Sequence, residues 1–103
     1  MATDISGLQK EVFSNKQKRG FNTTDVGKEI ILMTEELGEL AKAYKKSNKK
    51  AATEIDNRDE IIDAVGDLTV YCLGLCEMLN IDSGEMLKKI IESNRTRTHS
   101  GKI

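Results

Sequence analysis

The sequence has 103 residues, with 16 Lys+Arg against 17 Asp+Glu, two cysteines, one histidine and neither proline nor tryptophan. A chain of that length is one domain, and its formal net charge of −1 leaves no cation excess for coating nucleic acid or an anionic membrane surface. No stretch approaches the roughly 18 apolar residues of a membrane span, and the start MATDISGLQK has no apolar signal core, so the chain is expected in the cytoplasm.

Good helix formers dominate, and breaks at Gly20-Phe21-Asn22, Ser47-Asn48, Ile81-Asp82-Ser83 and Gly101 leave room for four helices. The first is predicted from Ile5 to Arg19, with Lys16, Lys18 and Arg19 suiting its C-terminal end. The second is predicted to start near Asn22 as cap. Its stripe Val26, Ile30, Met33, Leu37, Leu40 and Tyr44 advances by fours and threes, which predicts a core-facing side along its whole length. A polar loop then leads to a third helix over Asn57–Leu79, where Asn57 and Glu60 have capping-box spacing. Its apolar side is Ile61, Ala64, Val65, Leu68, Tyr71, Cys72, Leu75 and Leu79. Asp82, with Glu85 three residues on, opens the fourth helix, and a loose tail is expected from about residue 96. The fold class expected is all-α, one domain over 1–103. A domain this short buries only about 60–65% of its unfolded surface, so the bundles are expected to form in a homodimer or homotetramer.

The third helix carries Asp59, Glu60, Asp63, Asp67 and Glu77, and no Lys, Arg or His lies between Arg58 and Lys88. Glu60, Asp63 and Asp67 fall on one ridge that continues as Val70, Tyr71 and Gly74, so the acidic ridge adjoins the core. On the second helix Glu36 and Glu39 lie between Leu32 and Ala43 on the same side. Like charges at these spacings destabilise a helix by about 0.2–0.5 kcal/mol per pair. A solvated face would tolerate this. A cation between the two helices would remove it, and carboxylates without thiolate or imidazole form a hard oxygen site suited to Mg²⁺ or Mn²⁺.

Glu35-Glu36-Leu37-Gly38-Glu39-Leu40, followed by Asp59-Glu60-Ile61-Ile62-Asp63, resembles the EExxE and ExxD motifs of the MazG-like all-α nucleoside triphosphate pyrophosphohydrolases. The likeness extends to Arg19-Gly20-Phe21 and to Glu92-Ser93-Asn94-Arg95-Thr96-Arg97. It implies hydrolysis of a nucleoside triphosphate to the monophosphate and pyrophosphate, with Mg²⁺ held by Glu36, Glu39, Glu60, Asp63 and Asp67. The register is open: either Glu60 and Asp63 are the main pair, or Asp67 is the main aspartate and Asp63, one position displaced, replaces the usual glutamate. Glu35 is implied as the residue that orients or deprotonates the attacking water, or else it is an exposed helix residue. Asn94 and Arg97 match the family's Asn and Arg after the last helix, and with Lys89 they are the expected phosphate contacts. Phosphoribosyl-ATP pyrophosphohydrolase shares the general motif and is an alternative, as is a non-enzymatic helical dimer serving as a binding or regulatory module.

Cys72 and Cys76 supply half a zinc site at most and are read as packing, and His99 is read as a solvent-exposed residue of the tail. Gly38 and Gly66 each cost a helix about 1 kcal/mol relative to Ala, for which close helix approach around the metal is the expected reason.

Overall fold

The computed structural model describes residues 4–96, and these form four helices and no strand. They are α1 (Ile5–Lys18), α2 (Val26–Lys45), α3 (Arg58–Met78) and α4 (Ser83–Thr96). The all-α expectation holds. The expected tail, with Arg97 and His99, lies outside the described residues.

Two helix ends set the topology. After α1, Gly20 adopts φ +74°, the Gly20 amide donates to Gln17 O at 3.2 Å and the Phe21 amide to Lys16 O at 2.9 Å, a Schellman closure that turns the chain toward α2. After α3, Asn80 plays the same part at φ 57°, with the Ile81 amide donating to Cys76 O at 2.8 Å. Helix α2 starts at Val26 under an Asp25 cap that accepts from the Lys28 amide at 3.0 Å, later than the predicted start near Asn22. Asn22 instead closes the loop, accepting from the Asp25 amide at 3.1 Å. Asn57 precedes α3 but makes no side-chain cap; its amide group donates to Ala43 O at 2.7 Å and so ties α3 to the end of α2. Asp82 does cap α4, accepting from the Glu85 amide at 3.0 Å.

Helix α3 is the hub, packed by α2 and α1, while α4 lies against α1. Gln9 makes that last joint. Buried on α1, it donates to Ile81 O at 2.7 Å and accepts from the Ser83 amide at 2.8 Å.

Helix α2 departs most from expectation. Its inward side runs through Glu29, Met33, Glu36, Leu40 and Ala43, again by fours and threes, with Glu29 and Ala43 buried. Ile30, Leu37 and Tyr44 of the predicted core stripe are each about half exposed instead. The aliphatic stripe is the better apolar face, but α2 turns its acidic ridge toward α3. The apolar core is correspondingly thin, with only Ala43, Ala64, Leu73 and Cys76 buried among the described residues. Val65 and Leu79, predicted on the apolar side of α3, are also about half exposed.

The glycine expectation is overturned. A Cβ on Gly38 or Gly66 would meet nothing within 4 Å, so neither marks a close approach. Gly74 does, because a Cβ there would lie 2.8 Å from Lys16 Cε.

Candidate metal and substrate site

The rotation of α2 has a chemical result. Glu36 and Glu39 face Glu60, Asp63 and Asp67 of α3 across a groove of about 210 Å³, where Ala43 and Ala64 are the small residues that leave it open. All five carboxylates implied as metal ligands therefore line one concavity. Glu36, Glu39, Asp63 and Asp67 have no hydrogen bond or ion pair among the described residues.

Glu60 differs, because a cation from outside α3 reaches it. Lys46, just past α2, pairs with it at 2.8 Å. That hydrogen bond, with a weaker one from Asn57, holds the Glu60 carboxyl below the usual carboxylate range.

No three His, Cys, Asp or Glu side chains among the described residues converge as a ready-made cage. The donor set nevertheless fits Mg²⁺, which commonly takes one or two protein carboxylates and completes its shell with water and substrate phosphate oxygens. A thiolate metal is disfavoured. Burial pushes both the Cys72 and Cys76 thiols up, so each stays protonated at neutral pH, as their reading as packing residues requires.

A larger cavity of about 650 Å³ adjoins the groove, and Glu36 and Asp67 line both. Its other wall comes from the end of α1 and the α1–α2 turn: Asn15, Lys16, Arg19, Phe21 and Asn22. Tyr71, one turn beyond Asp67, completes it. Burial first, then the negative charges of Glu36, Glu29, Glu35 and Asp67, push the Tyr71 hydroxyl up, so it remains a hydrogen-bond donor. Arg19 stacks on Phe21 with its guanidinium carbon 4.9 Å from the ring centroid.

The remaining sequence-implied residues are dispersed. Glu35 is exposed on α2 and lines neither concavity, although its charge reaches Tyr71. Lys89 lines a separate small hollow with Ile81, Asp82, Glu85, Met86 and Ile90. Asn94 lies on α4, outside the lining of the groove and the cavity. Arg97 lies outside the described residues.

Sequence reasoning missed the floor of the cavity. Lys16 Nζ lies 2.6 Å from Glu29 Oε2, and the two side chains are 6% and 0% exposed. Asn22 donates to the other Glu29 oxygen at 3.1 Å, and the Lys16 ammonium sits 4.3 Å from the Tyr71 ring centroid. The one sequence signal was spacing: Glu29, Glu36 and Ala43 recur every seven residues, which places Glu29 on the ridge that faces α3.

With this geometry in view, the comparison with protein families is decisive: the model of the phosphoribosyl-ATP pyrophosphohydrolase family matches residues 9–94. The chain belongs to this family. The match runs from α1 into α4 and includes every carboxylate of the groove. Phosphoribosyl-ATP pyrophosphohydrolases are an all-α family within the MazG-like superfamily, so the broader likeness holds and is narrowed to one branch. The family places the protein among hydrolases that act on phosphoanhydride bonds. No curated protein and no solved structure matches the chain. Among the described residues no helix is long and apolar enough to cross a membrane.

Proposed function

We propose that the protein hydrolyses a nucleoside triphosphate to the monophosphate and pyrophosphate with Mg²⁺, for which Mn²⁺ can substitute. The observation that carries this reading is the set of four carboxylates, Glu36, Glu39, Asp63 and Asp67, that face one groove and have no ion-pair partner among the described residues. Such a set is unfavourable without a cation, and it adjoins a cavity within the size range of small-molecule sites. Bound Mg²⁺ would neutralise charge on the substrate phosphates and lower the pKa of a coordinated water. The chain's own part is to hold the metal between α2 and α3 and to place the substrate phosphates beside Glu36 and Asp67; Glu35, which lines neither concavity, is the proposed residue for ordering the attacking water. Lys89, Asn94 and Arg97 remain the proposed phosphate contacts, Lys89 and Asn94 as contributions from a second copy of the chain, since within one chain they line neither the groove nor the cavity, and the cytoplasm is the proposed compartment.

A second reading, phosphoribosyl-ATP as the substrate, is favoured by the family match over residues 9–94. Both readings break a phosphoanhydride bond and release pyrophosphate. Incubation with the eight common (d)NTPs and with phosphoribosyl-ATP, with and without Mg²⁺, separates them. Pyrophosphate from phosphoribosyl-ATP alone selects the second, and turnover of none leaves only a binding module.

Self-association belongs to the same proposal. Ile30, Ile31, Leu37, Ile90 and Ile91 are each 47–62% exposed, apolar surface that a single chain leaves uncovered. A second copy of the chain is the proposed cover.

A further inference from the structure

We propose that Lys16 is a specificity-determining residue, donating a hydrogen bond to the base or ribose of a nucleotide whose phosphates lie toward Glu36 and Asp67. This rests on the nucleotide reading above. Three helices build the position: Lys16 comes from α1, Glu29 from α2, and Tyr71 and Gly74 from α3. The bare backbone of Gly74 makes room for the Lys16 stem, since a Cβ there would stand 2.8 Å from Cε.

A buried ion pair is a poor means of stabilising a fold, because its desolvation offsets most of its attraction and apolar residues of similar size do as well or better. Its place in the molecule points to recognition. Lys16 lines the cavity that Glu36 and Asp67 also line. Along the helices, Tyr71 is four residues beyond Asp67 and Glu29 is seven before Glu36, about 6 and 10 Å of axial rise. A nucleotide with its phosphates at the carboxylates would therefore carry its ribose and base toward the pair.

The pair also suits that end of the ligand better than the phosphates. Both Glu29 oxygens are engaged, by Lys16 at 2.6 Å and by Asn22 at 3.1 Å, so the ammonium's charge is already matched. An ammonium has three hydrogens. One points to Glu29 and one side faces the Tyr71 ring, which leaves a donor for a neutral acceptor such as a base carbonyl, a ring nitrogen or a ribose oxygen. Aromatic faces for a base stand close by, Tyr71 in the wall and the half-exposed Phe21 beneath Arg19.

The test is calorimetric binding of ATP, GTP, CTP, UTP and inorganic tripolyphosphate, with Ca²⁺ in place of Mg²⁺ to hold turnover back. Wild type is compared with Lys16→Met/Glu29→Leu, which removes both charges and leaves Asn22 its bond to Asp25 O. The tightest nucleotide is expected to weaken by about tenfold or more and preference among the four to narrow, while tripolyphosphate, which has no base or ribose, stays within about twofold. Equal weakening of tripolyphosphate, unchanged nucleotide affinities, or no nucleotide binding by wild type would each overturn the proposal. Should the double variant not fold, Lys16→Arg keeps the charge and moves the donors. It is expected to reorder preference among the four nucleotides, and an unchanged order would refute the assignment. Nucleotide binding without pyrophosphate release in Mg²⁺ would sink the hydrolase reading and leave the role of Lys16 standing.

Discussion

Glu36 on α2 and Asp67 on α3 line both the carboxylate groove and the larger cavity beside it, so they join the proposed metal site to the proposed substrate cavity. Neither has an ion-pair partner among the described residues. Glu36→Gln and Asp67→Asn are each expected to lower kcat/KM on the order of 10²–10³-fold, the scale of losing one electrostatic stabiliser. Asp63→Asn is expected to cost at least as much, because Asp63 serves either register of the motif. Glu60→Gln is expected to cost least, since Lys46 already occupies that carboxylate at 2.8 Å. Melting temperatures without metal should not fall in the Glu36, Asp63 and Asp67 variants, because each relieves repulsion. A fall of many degrees would make these residues structural.

The Lys16–Glu29 pair makes an opposite prediction for stability. Lys16→Met alone strands a fully buried carboxylate and is expected to cost about 3–5 kcal/mol in urea unfolding. Adding Glu29→Leu should restore most of that loss. If the double variant remains as unstable as the single one, the packing of the Lys16 stem over Gly74 matters more than the charge.

Much of this site was legible in the sequence because its signal is periodic. Glu36, Glu39, Glu60, Asp63 and Asp67 announce a shared face through steps of three and four, and Asp82 announces the start of α4 by its spacing to Glu85. What failed was the choice between two competing stripes on α2. Ile30, Leu37 and Tyr44 are more apolar than Glu29, Glu36 and Ala43, so hydrophobic periodicity selected the face that a single chain leaves half exposed. Lys16 and Glu29 were invisible as a pair. Partnership across a turn depends on the Gly20 closure and on the room at Gly74, neither of which is written in helical spacing.

Acid sensitivity follows from Glu60 and Asp82. The Glu85 amide and then the Ser6 hydroxyl hold Asp82 below its ordinary value, as Lys46 does Glu60. Both carboxyls bind protons less readily folded than unfolded, so their stabilisation is present above the unfolded carboxylate pKa and is lost as pH falls through the folded one. Urea midpoints are therefore expected to decline below about pH 4. In Asp82→Asn the neutral-pH midpoint should drop and the acid slope flatten. An unchanged slope would exclude Asp82 as a contributor.

Self-association is accessible to sedimentation equilibrium. The expected mass is at least twice 11.5 kDa at micromolar concentration, and Leu37→Glu, at a residue 54% exposed in the single chain, should shift the population toward monomer. A wild-type mass near 11.5 kDa would contradict the proposed cover for the apolar faces.

The most direct test of the central claim is the identity of the phosphorus product. Wild-type protein is incubated with each nucleoside triphosphate and with phosphoribosyl-ATP, and orthophosphate and pyrophosphate are measured separately before and after chelation of divalent metal. The expected result is pyrophosphate in equal amount to the nucleoside monophosphate from at least one of these substrates, abolished by chelation and restored by Mg²⁺. Orthophosphate as the primary product, or pyrophosphate release that survives chelation, would contradict the assignment of the α2–α3 carboxylate groove as a metal-dependent pyrophosphohydrolase site.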